Sequence, residues 1–86
     1  MLEVVYAKAF DKSFLKLPAK KQQKVRATIV LFLENPRARS LRLHELEGKL
    51  AGTWSISAGG DLRIHFRYDG DTVVFFLAVG THAQLY

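Results

Sequence analysis

The stretch that most constrains this chain runs from Asp61 to Tyr68. Within it Leu62, Ile64, Phe66 and Tyr68 alternate with Arg63, His65 and Arg67. Successive side chains of a strand point to opposite faces, so this period of two sorts the segment into an apolar face and a nitrogen-rich one. The apolar face demands a layer to pack against. A strand divided in this way belongs to a sheet covered by helices on one side, and the other side is where function is to be sought.

The neighbouring segments supply the rest of such a sheet. From Thr53 to Ala58, Trp54 and Ile56 alternate with Ser55 and Ser57, and Gly59-Gly60 then turns the chain into the Asp61–Tyr68 strand. Asp69-Gly70 turns it again into Thr72 to Val79, TVVFFLAV, which is apolar on both faces and is therefore expected inside the sheet rather than at its edge. Residues 2–6, LEVVY, form a short β-branched run that needs a neighbouring strand.

The covering layer lies between these strands. Phe10, Phe14 and Leu17 fall at i, i+4 and i+7 and predict one apolar stripe on a helix from Lys8 to Lys16. Pro18 interrupts it and opens a second helix reaching Glu34. Val25, Ile29, Phe32 and Leu33 are the expected buried face there, with Lys20, Lys21 and Lys24 on a solvated one. Asn35 ends the helix because a residue before proline is pushed out of the α region. Residues 36–46, PRARSLRLHEL, hold three arginines and a histidine without a period and read as a loop leading into a strand, after which Gly48 and Gly52 bracket a turn. The expectation is a single α+β domain over residues 1–86.

Composition narrows the functional classes. Thirteen Lys and Arg against eight Asp and Glu give a net charge of +5, so the domain attracts polyanions: phosphate backbones, or an acidic protein partner. There is no cysteine, which excludes disulfides and thiolate metal sites. The three histidines show no H-x-x-x-H spacing, so no metal is expected. The N-terminal residues lack a signal-peptide core, and no apolar run approaches the ~18 residues of a membrane helix. The expected location is the cytoplasm, with no membrane partner.

Several short signatures occur in a telling order. His44-Glu45-Leu46-Glu47-Gly48 fits H-x-L-x-G, Gly52 precedes Trp54-Ser55, Asp61-Leu62-Arg63-Ile64-His65-Phe66 fits D-x-R-[ILV]-x-[YF], and the chain ends in GTHAQLY. In this order they resemble the RelE/ParE superfamily of bacterial type II toxins, and the tail is most similar to its YafQ branch. The resemblance implies a four-stranded sheet with the first strand beside the last and the helices on one face. It also implies a ribosome-dependent mRNA endonuclease that cleaves by attack of the ribose 2′-OH with no metal or cofactor. The implied partners are mRNA on the ribosome and a cognate antitoxin whose acidic or amphipathic segment covers the site.

Such cleavage needs a base for the 2′-OH, an acid for the departing 5′-oxygen and a cation for the phosphate. Histidine titrates near neutrality, and arginine donates two parallel hydrogen bonds to phosphate. By resemblance His82 is the general acid, His44 its partner, Asp61 a functional acid and Arg63 the phosphate clamp. Arg63, His65, Arg67, Ser55, Ser57 and Tyr86 are the expected RNA-binding set, Tyr86 as an aromatic that stacks on a base. Ser57 stands where the YafQ pattern has a histidine, and Ser55 near an acidic position. Serine is a poor general base, so His65 on the adjacent strand is the candidate substitute. Two other readings stay open: a ParE-like inhibitor of DNA gyrase without chemistry of its own, and an inactive member kept for binding antitoxin or operator DNA.

Overall fold

The computed structural model describes residues 2–86. The chain runs β1 (Glu3–Tyr6), α1 (Lys8–Leu15), α2 (Ala19–Glu34), a 3-10 turn (Arg39–Leu41), β2 (His44–Glu45), a second 3-10 turn (Gly48–Leu50), β3 (Trp54–Ser57), β4 (Leu62–Asp69), β5 (Val73–Thr81) and α3 (His82–Leu85). The sheet order is β1-β5-β4-β3-β2. β1 lies parallel to β5, and every other pairing is antiparallel. The doubly apolar strand is thus interior, as its pattern requires. No helix among the described residues is long and apolar enough to cross a membrane.

Two expectations need correcting. The sheet has five strands rather than four, because His44 and Glu45 pair with Ser55 and Trp54 as an extra edge strand. Two residues are too few for an alternation to register in the sequence, so residues 36–46 read as a loop leading into a strand, without a separate strand at His44 and Glu45. The helices are also not confined to one face. α1 and α2 cover the face of Ile64, Phe66 and Phe76, whereas the short α3 folds over the opposite, polar face.

The core follows from the strand period and the helix stripes. Phe32 sits 4.7 Å from Phe66 and 6.2 Å from Phe76 between ring centroids, and Phe10 reaches Phe76 at 5.9 Å, so α1 and α2 meet the sheet through aromatic contacts. Val25, Ile29 and Phe32 are buried as expected, but Leu33 is 39% exposed. At 3.6 residues per turn, position 33 lies about 80° around the helix from position 25, off the buried stripe. Pro18 is the N-cap of α2, and Asn35 ends it with φ −148° and ψ 80°.

A bulge refines β5. His65 pairs with Ala78 and Phe66 with Phe76, leaving Leu77 as the extra residue. On either side of it the registers Arg63↔Gly80 and Arg67↔Phe75 keep the polar row of β4 on a single face.

Candidate functional site

The cross-strand register builds the polar face from three strands. Ser55 lies opposite both His44 and His65, and Ser57 opposite Arg63, so their side chains share one surface. α3 closes over it. Thr81 caps α3 through a reciprocal pair of bonds: Gln84 N–H donates to Thr81 Oγ1 at 3.3 Å, and Thr81 N–H donates to Gln84 Oε1 at 2.8 Å. Gly80 permits this close fold, since a Cβ there would meet Gln84 Oε1 at 2.9 Å.

α3 brings Tyr86 and His82 against the sheet. The Tyr86 hydroxyl donates to Ser55 Oγ at 3.1 Å, and its ring meets His65 edge-on at 4.9 Å. His82 stacks on the other side of Tyr86, with centroids 4.3 Å apart and planes inclined by 25°. The His82 N–H donates to the Asp61 carbonyl at 3.0 Å, so the Gly59-Gly60-Asp61 turn is tied to the start of α3.

His65 is the buried member of this cluster. It is 5% exposed, and its Nε2 has no hydrogen-bond partner among the described residues. Burial, and then repulsion from His44 and His82, push its pKa below the ordinary histidine value. The three histidines therefore share one electrostatic neighbourhood, and His65 is held neutral in it.

His44 has a defined tautomer. Its Nδ1 lies 2.8 Å from the Arg42 carbonyl oxygen, which can only accept, so Nδ1 carries the proton. In the neutral ring the lone pair is then on Nε2, the atom a general base would use. Arg63 is anchored through one nitrogen: Nη1 donates to Gly60 O at 2.8 Å, Leu62 O at 3.0 Å and Ser57 Oγ at 3.2 Å. Its other guanidinium nitrogens make no hydrogen bond among the described residues.

The structure brings together His44, Ser55, His65, His82 and Tyr86, with Ser57 and Arg63 alongside. Asp61 joins through its main chain, and its side chain is exposed. Arg67 lies further along the face with its guanidinium 5.3 Å from the Phe75 ring centroid. Among the described residues no group of three or more His, Cys, Asp or Glu side chains is placed to hold a metal ion. Arg42 escaped the sequence reading, because what it contributes is a carbonyl. α3 escaped it too, although Thr81-x-x-Gln84 is a capping-box signal.

The chain matches the family described as the ParE toxin of the type II toxin–antitoxin system, parDE, over residues 4–86. No curated protein matches it. Among solved structures, YafQ from E. coli strain BL21(DE3) superposes with a TM-score of 0.82 at 22% identity, covering 100% of this chain and 99% of that one. YafQ in the E. coli DinJ–YafQ complex gives 0.80 at 22% identity, again covering 100% and 99%. The Mycobacterium tuberculosis toxin–antitoxin complex RelBE2 gives 0.64 at 28% identity, covering 94% of this chain and 98% of that one. The fold is that of YafQ, and the chain belongs to the ParE toxin family of type II toxin–antitoxin systems.

Proposed function

We propose that this toxin is an endoribonuclease that cuts mRNA on the ribosome, using the polar face as its site. The observation that carries the reading is the convergence on that face of two exposed histidines, a buried neutral one and a partly tethered arginine. His44 Nε2 takes the proton of the ribose 2′-OH, whose oxygen attacks the adjacent phosphorus. The bond from phosphorus to the 5′-oxygen breaks, and His82 gives that oxygen a proton, leaving a 2′,3′-cyclic phosphate and a 5′-hydroxyl. Arg63 meets the charge that gathers on the non-bridging oxygens. Ser57 helps hold Arg63 in place, which suits a serine where the related pattern carries a histidine. The Tyr86–His82 stack offers a flat surface to a base beside the cut.

A cognate antitoxin covers this basic domain, in keeping with the relatives crystallised as DinJ–YafQ and RelBE2 complexes. The family description, which names ParE, favours a second reading in which the protein inhibits DNA gyrase without chemistry. Translation in a cell-free system, with mRNA 5′ ends mapped by primer extension, separates the two. Wild-type protein produces new ends at ribosome-occupied codons, and His82→Ala reduces them by about 10²–10⁴-fold, the usual worth of a proton-transfer group. Intact mRNA with continued translation overturns the nuclease reading, and loss of gyrase supercoiling by wild type and His82→Ala alike establishes the other.

A further inference from the structure

We propose that Arg37, Arg39 and Arg42 form a second phosphodiester-binding pocket, which grips the RNA backbone beside the site that cuts it. The proposal rests on the nuclease reading for its biological ligand but not for its chemistry. Arg37, Ala38, Arg39, Arg42 and Leu43 line a concavity of about 310 Å³, three arginines with no acidic residue among them. All three arginines are exposed. Three cationic side chains on one short segment add their attractions for an anion.

The pocket is a fixed feature of the backbone. Ala38 N–H donates to Asn35 O at 3.0 Å, Leu41 N–H to Ala38 O at 3.1 Å and Arg42 N–H to Arg39 O at 3.1 Å, one tight turn after another. Leu41, 1% exposed, pins this segment to the core. Arg42 then takes the left-handed conformation, φ 50° and ψ 43°, as the one non-glycine residue with positive φ among the described residues. The three side chains therefore leave from a backbone held in one conformation, so only their own rotamers have to be ordered on a ligand.

The link to the site is direct. The Arg42 carbonyl accepts a hydrogen bond from His44 Nδ1–H, so the residue that contributes one arginine to the pocket also sets the His44 tautomer. Arginine forks match phosphate oxygens in pairs, and a phosphodiester chain running from this pocket onto the polar face would pass the edge strand that carries His44. Carboxylates can fill the same forks, so it is the continuity of the pocket with the polar face, through Arg42 and His44, that selects an RNA backbone over an acidic polypeptide.

The test uses the full-length protein and a 2′-O-methyl RNA dodecamer, which binds but lacks the nucleophile for cleavage, so failure of the nuclease reading leaves it intact. Binding is followed by fluorescence anisotropy across a salt series. The triple variant Arg37→Gln/Arg39→Gln/Arg42→Gln is set beside Lys20→Gln/Lys21→Gln/Lys24→Gln, an equal loss of charge on the exposed start of α2, with both melting temperatures checked against wild type. The arginine variant is expected to bind about tenfold more weakly and to lose roughly 0.7–1.4 from the slope of log K against log salt, one or two single-strand phosphates' worth. The lysine variant should change neither by a comparable amount. Equal losses in the two variants, or no loss in the arginine one, overturn the proposal. So does weakened binding to poly-glutamate with RNA binding unchanged, which would assign the pocket to an acidic protein. Pelleting with vacant and mRNA-programmed ribosomes then names the source: loss on both identifies ribosomal RNA, and loss only on programmed ribosomes identifies the message.

Discussion

The two faces of β4 are built on opposite terms. On one, Leu62, Ile64 and Phe66 are at most 4% exposed and are held by many apolar neighbours at once. On the other, Arg63, His65 and the residues opposite them are held by a handful of polar contacts, each with a single geometry. Apolar packing is redundant and dominates the stability of the domain. Each polar contact is worth about 0.5–1.5 kcal/mol, and what these contacts fix is orientation: a tautomer at His44, a tether on Arg63, a stacked pair at His82 and Tyr86. One strand can serve both ends because its period of two keeps them physically apart.

The largest effect expected from this contrast belongs to Phe66. It is fully buried, within 4.7 Å of Phe32 and 5.9 Å of Phe76 between centroids, and its removal opens a cavity that no flexible side chain fills. Phe66→Ala should cost about 3–5 kcal/mol, a large share of the roughly 5–15 kcal/mol by which domains are stable. Urea unfolding measures it, and a cost below about 1 kcal/mol would mean that the apolar face is not what holds the fold.

A smaller and more local effect is expected from Tyr86→Phe. The variant keeps the stack on His82 and removes only the hydroxyl that donates to Ser55. The loss should be about 0.5–1.5 kcal/mol and confined to α3, seen as faster amide hydrogen exchange at residues 82–86 with β4 and β5 unchanged. Exchange that quickens across the whole sheet would show that α3 is part of the core rather than a cover laid on the polar face.

The apolar face was largely legible in the sequence because it obeys a period. Val25, Ile29 and Phe32 at helical spacing, and Leu62, Ile64 and Phe66 at strand spacing, are the residues found buried. The polar face was legible as a list of residues but not as an arrangement. His65 reads as a third outward-facing base, yet it is buried, because α3 folds back over it and a four-residue helix leaves no periodic trace. Asp61 reads as an acid, yet its link to the cluster is a carbonyl, and carbonyls are present at every residue. The edge strand at His44 escaped for the same reason as α3: it is shorter than the pattern by which strands are recognised.

The subtlest test of the contrast is a proton. His65 has its pKa lowered, first by burial and then by the charges of His44 and His82, and its Nε2 has no partner. In the unfolded chain the same imidazole titrates near 6.5. Below that pH the unfolded state binds a proton that the native state does not, so folding stability falls as pH drops from 6.5 toward the lower native value and is level with respect to this group above 6.5. The protonated ring would also sit under Tyr86 without a counter-ion, so the strain is felt first in α3. In His65→Leu the buried side chain has no proton to gain. Thermal unfolding between pH 5 and 8 should therefore give a melting temperature that declines on the acid side in the wild type and is flatter in the variant, with little change at pH 8. Parallel curves would mean that His65 titrates freely in the native state, and the polar face would then be more open to water than its packing against α3 implies.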